Sequence, residues 1–123
     1  MRALVAFGAL LLAATSALAH HSNSAFDPDK VVVLKGTVTQ WKWTNPHVWI
    51  FLSVDDGKGG KTEWEIEGRP PGILARAGWS RSTFKPGDVI TVDFSPARDG
   101  SPSGLTTRVT LADGTVLSQA SPQ

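Results

Sequence analysis

The stretch "VVVLKGTVTQWKW", Val31 to Trp43, decides the fold. β-branched residues dominate it, and Val32, Leu34 and Val38 share one parity, the two-residue period of a strand with one face in a core. Gly36 interrupts the run. A glycine inside a strand pattern marks a bulge or a tight bend. The reading is therefore a long first strand that bends near Gly36, as the first strand of a small barrel must.

Outward from it, the chain reads as short strands separated by turns. "TNP" (Thr44–Pro46) breaks the first run, because Pro46 has no N–H for a ladder. "HVWIFLSV" (His47–Val54) is a second strand, apolar on both faces at its centre. "DDGKGG" (Asp55–Gly60) supplies the glycines a hairpin loop requires. "KTEWEIEG" (Lys61–Gly68) alternates cleanly, with Thr62, Trp64 and Ile66 on one face and Glu63, Glu65 and Glu67 on the other. A short helix is predicted around Ile73–Ala77, stopped by Gly78. The turn "FKPGD" leads into a fourth strand, "VITVDF" (Val89–Phe94), and the loop "SPARDGSPSG" into a fifth, "LTTRVTL" (Leu105–Leu111). "ADGT" (Ala112–Thr115) then turns the chain into a short tail.

Three strands, a helix and two strands in about one hundred residues is the order of an all-β, five-stranded OB-like Greek-key barrel. A small two-sheet sandwich suits the same strand spacing. The position of Gly36, and of the helix between strands three and four, favours the barrel.

The N-terminus carries its own message. Arg2 precedes an apolar stretch from Ala3 to Ala14, and Ala17-Leu18-Ala19 places small residues where a signal peptidase cuts. The apolar run is short for a membrane span. The expectation is a signal peptide over residues 1–19, a flexible mature start over 20–30, the barrel over 31–117 and a tail over 118–123. The product would be periplasmic or secreted, with no membrane anchor after cleavage. Removing the first 19 of the 123 residues leaves 104, enough for one small domain. There is no cysteine, which excludes disulfides, thiolate metal sites and thiol catalysis. Loss of Arg2 takes Lys+Arg from 12 to 11, against 11 Asp+Glu. A near-neutral chain without a basic run lacks the electrostatic footprint of a nucleic-acid binder.

The pieces "HHS", "FDPDK", "WTNPHVWI", "EWEIEG", "LARAGW" and "KPGD" together resemble a family of small exported bacterial proteins catalogued as a domain of unknown function. The resemblance runs from His20 to about Leu117. It implies the fold and the compartment, and brings no activity or catalytic residue with it.

The three histidines, His20, His21 and His47, all lie in or near these motifs. Cleavage after Ala19 would give His20 both a free α-amine and an imidazole. Such nitrogen donors suit copper(II), which also leads the divalent affinity series. With His47 as a third nitrogen, the set resembles the histidine brace of copper proteins in ligand chemistry, though not in fold. His21 is the substitute or auxiliary ligand. The competing reading makes residues 20–24 an ordinary polar start and His47 a capping hydrogen-bond donor.

Five tryptophans need a separate explanation. Trp64 and Trp79 read as core. Trp41, Trp43 and Trp49 surround the "TNP" turn, and with Asn45 could form an exposed cluster that recognises a protein partner or small ligand. They could equally complete the packing of a small core. Glu63, Glu65 and Glu67 have the spacing of paired catalytic carboxylates, but three alternating acids more simply form a solvated strand face. No G-x-S-x-G, phosphate loop or H-E-x-x-H is present. The sequence thus points to a non-enzymatic binding module, with copper at the N-terminal histidine or recognition by the tryptophans as its two readings.

Overall fold

The structure, a computed structural model, describes residues 25–119. Strand β1 (Val32–Lys42) changes partner half-way along. Val32–Thr37 pair antiparallel with β4 (Val89–Pro96), and Thr37–Lys42 pair antiparallel with β2 (Trp49–Asp55). β2 forms a hairpin with β3 (Lys61–Glu67). Glu65–Glu67 then pair in parallel with the start of β5 (Ser103–Thr110), which returns antiparallel to β4. The circuit β1–β2–β3–β5–β4–β1 closes a five-stranded barrel, and the short helix α1 (Pro71–Arg76) falls between β3 and β4. The OB-like barrel is the fold.

Gly36 explains the change of partner. A Cβ there would lie 2.9 Å from the Ser53 carbonyl oxygen and 2.9 Å from Val54 Cγ2. Only glycine lets β1 close onto β2 while it still pairs with β4. The bulge itself comes three residues later than Gly36. Register moves from Val38↔Leu52 to Gln40↔Phe51, leaving Thr39 as the extra residue. Thr39 and Gln40 both face outward, so Trp41 turns in beside Val38 against the core.

Inside the barrel, Ile50, Leu52, Ile66, Val92, Phe94 and Val109 are fully buried. Leu74 of α1, Trp79 and Phe84 join this core from the β3–β4 connection. α1 begins with Pro71 in its first turn, where a missing N–H costs nothing. It ends before Gly78, whose φ of 91° suits a residue without a Cβ.

Two segments are more ordered than their patterns suggest. Val116–Ser118 form a sixth strand, β6, antiparallel to Arg108–Thr110. Behind it Gln119 is buried; its side-chain oxygen accepts from the Arg69 N–H at 2.7 Å and its amide donates to the Thr106 carbonyl. The end of β3 is thereby tied to β5. Of the lead-in expected to be flexible, residues 25–27 are docked. Phe26 is buried and bridges to Ala97, and the Arg98 N–H donates to the Ala25 carbonyl at 2.9 Å. His20 and His21 lie outside the described residues.

Candidate functional site

Alternation along β2 sends Ile50, Leu52 and Val54 inward and leaves Trp49, Phe51 and Ser53 half-buried on the outer side. On β3 the same period sends Ile66 inward and places Glu63, Glu65 and Glu67 outside. Trp64 also faces in, 5.4 Å from the Phe94 ring. The register pairs Trp49 with Glu67, Phe51 with Glu65 and Ser53 with Glu63. Beyond them, Leu105 flanks Glu67, Ser103 flanks Glu65, and Lys42 of β1 flanks Trp49.

His47 stands at one end of this face, just after the cis Asn45–Pro46 peptide. Its position is set by the backbone around it. The Gly68 N–H donates to the Val48 carbonyl at 2.9 Å, and buried Val48 anchors the segment in the core. A Cβ on Gly68 would lie 2.5 Å from Val48 Cγ2, so only glycine permits this approach. The result puts the Gly68 carbonyl 3.0 Å from His47 Nδ1. A carbonyl can only accept, so Nδ1 carries the proton and donates it. In that tautomer the free lone pair lies on Nε2, on a side chain 33% exposed.

Glu67 completes the arrangement, with Oε1 3.5 Å from His47 Nδ1. It is only 7% exposed, contrary to the expectation of a solvated acid. Burial raises its pKa above the usual carboxylate value, and the charge on a protonated His47 opposes that rise in part. An acid whose folded pKa is raised holds its proton more tightly when folded. Its contribution to stability is present below the unfolded value and lost as pH rises through the folded one. Glu67→Gln should therefore melt higher than the parent at pH 7 and level with it near pH 4. Thermal melts at the two pH values check this, and an equal difference at both would show that titration plays no part.

The three tryptophans expected to cluster are divided. Trp41 and Trp43 form one group, their rings 5.7 Å apart, with Trp41 packed edge-on to Phe84 at 4.9 Å and 6.1 Å from Trp79. Trp41 Nε1 donates to the Ser80 carbonyl at 3.0 Å. Both rings border the core, because the Thr39 bulge turns Trp41 inward. Trp49 alone stays on the outer β2–β3 face, and Asn45 is exposed in the loop before it. Sequence reasoning weighed Glu67 only as one of three strand-face acids, and missed Gly68 as part of a site. The signal was the strand end "EIEG", where a buried glycine brings two backbones together. Among the described residues no group of three or more histidine or acidic side chains could hold a metal ion.

The mitochondrial single-stranded DNA-binding protein Rim1 of S. cerevisiae is similar in fold, with a TM-score of 0.52 over 68% of this chain and 93% of that one. The two are 9% identical, so the likeness is one of fold alone. No curated protein matches the chain in sequence. A family model does, over residues 9–107, and the chain belongs to that family, the family of unknown function DUF6152.

Proposed function

We propose that the protein is an exported, non-enzymatic module that binds copper(II) at its processed N-terminus. The His20 α-amine and imidazole are the first ligands, His47 Nε2 is the third nitrogen, and His21 is the substitute or auxiliary ligand. The observation that supports this reading is the state of His47. A metal-binding histidine commonly gives its other ring N–H to a carbonyl or carboxylate, which fixes the tautomer and aims the free nitrogen. His47 has that arrangement, with the Gly68 carbonyl and Glu67 behind it.

The docked segment sets the terms on which His20 reaches His47. Ala25 is held beside Arg98, just before β5, and the start of β5 pairs with the end of β3, beyond which the Gly68 carbonyl meets His47. His20 is five residues before Ala25, a tether of at most about 18 Å. That tether bounds how far from Ala25 the amine can reach. The DNA binding in the name of the yeast neighbour does not carry over, because Glu63, Glu65 and Glu67 line the β2–β3 face and repel phosphate.

Copper(II) titration of metal-free protein beginning at His20, read by calorimetry and EPR, tests the proposal. Expected is tight one-to-one binding with nitrogen hyperfine structure, lost when one residue is added before His20. His47→Ala should weaken it by at least about tenfold, the scale on which even outer partners of metal ligands count. Binding indifferent to the added residue would end the proposal.

A further inference from the structure

We infer that the outer face of β2 and β3 is a second binding surface, which takes the basic side chains of an extended partner segment on Trp49 and the three glutamates. It is independent of copper and stands on four observations. The first is charge. Lys61 is the only cation on β2 or β3 and is already held by Asp55 at 2.7 Å, which leaves Lys42 beside Trp49 facing three carboxylates. The second is spacing, since alternate residues on a strand stand about 7 Å apart, the same interval as alternate side chains of an extended peptide. Lysines or arginines at every second position would match Glu63, Glu65 and Glu67 in register.

The third observation is Glu67, largely buried on this face with His47 Nδ1 at 3.5 Å as its one ion-pair neighbour among the described residues. The nearby His47 proton goes to the Gly68 carbonyl. A carboxylate with one such neighbour keeps acceptor capacity, and an incoming guanidinium or ammonium can use it. The fourth is Trp49. Trp41 and Trp79 bond their indole N–H groups to carbonyls at 3.0 and 2.9 Å, whereas Trp49 has no such bond among the described residues. Its ring lies next to Glu67 in register and can stack a cation on its face.

The probe is hexa-arginine, titrated calorimetrically into metal-free protein in the presence of chelator, with hexaglutamate and arginine amide as comparisons. Hexa-arginine should bind at least about tenfold more tightly than either, and weaken as salt shortens the screening length. Trp49→Leu should lower its affinity about fivefold, and Glu65→Gln should lower it as well, while both variants keep the parent melting temperature within a few degrees. Trp43→Phe, off the face, should leave binding unchanged. Equal affinity for hexa-arginine and hexaglutamate would overturn the inference, as would Trp49→Leu and Glu65→Gln proteins that bind like the parent. Arginine amide binding as tightly as the hexapeptide would overturn the extended segment in favour of a small organic cation. Chelator keeps copper out of every arm, so failure here leaves the N-terminal site untouched.

Discussion

Gly104→Ala is expected to lower the stability of the fold by about 3 kcal/mol, the upper end of ordinary overpacking costs. Gly104 is the second residue of β5, opposite Pro96 of β4 and beside Ile66 of β3. A Cβ there would run into the Phe94 ring and lie 2.9 Å from the Ser95 carbonyl oxygen. Neither neighbour can yield cheaply. Phe94 is fully buried with Trp64 against it, and Ser95 is part of the β4 ladder that Gly104 itself helps to hold. The β3–β5 seam is only three residue pairs long, Glu65–Glu67 with Ser103–Leu105, so a shift of the β5 backbone opens the barrel where it closes. For a domain near one hundred residues, 3 kcal/mol corresponds to a fall in Tm of about 12–24 °C. Scanning calorimetry reads it directly. Gly72→Ala, where a Cβ meets open space on α1, is the matched control and should leave Tm unchanged or slightly raised. If the two variants melted together, the packing argument at the seam would be wrong.

The barrel was legible because its evidence is local. Strand alternation, turn glycines and the position of one helix are properties of neighbouring residues, and they survive folding unchanged in the "EWEI" and "VITV" runs. The site was less legible because it depends on register. Glu67 looks like one more exposed acid in "EWEIEG" until β3 is known to pair with both β2 and β5, which flank it with Trp49 and Leu105. Trp41 shares the alternating pattern of outward Thr39 until one extra residue at the bulge reverses its face. β6 escaped notice because three residues carry no usable period. The docking of Phe26 escaped for a related reason, since a single buried residue after "SNSA" has no repeat to announce it. His47 was picked out as a candidate ligand, but its tautomer follows only from the Gly68 carbonyl, a contact twenty-one residues away.

Trp79→Ala should be the most damaging single truncation outside the strands, costing about 3–5 kcal/mol as buried Trp→Ala changes do. Its indole is 3% exposed, and three parts of the molecule converge on it. The ring meets Phe84 edge-on at 5.7 Å and Trp41 at 6.1 Å, and Nε1 donates to the Ser118 carbonyl of β6 at 2.9 Å. Its backbone N–H caps α1 by donating to the Leu74 carbonyl, an interaction that substitution leaves in place. Trp79→Phe separates the remaining contributions, because it keeps most of the ring contact and removes only the indole donor. That variant should cost about 1–2 kcal/mol, near the value of one hydrogen bond. Urea unfolding followed by far-UV circular dichroism measures both without relying on tryptophan emission. A small domain holds about 5–15 kcal/mol in total, so the alanine variant loses a large share of it and the phenylalanine variant does not. Equal losses would place the stabilisation in the bond to β6 and not in the aromatic packing. The distinction reaches the site as well, since Trp41 leans on Trp79 and leads directly into the loop that carries His47. A hole at Trp79 should thus loosen His47 through packing alone, with every ligand atom still present.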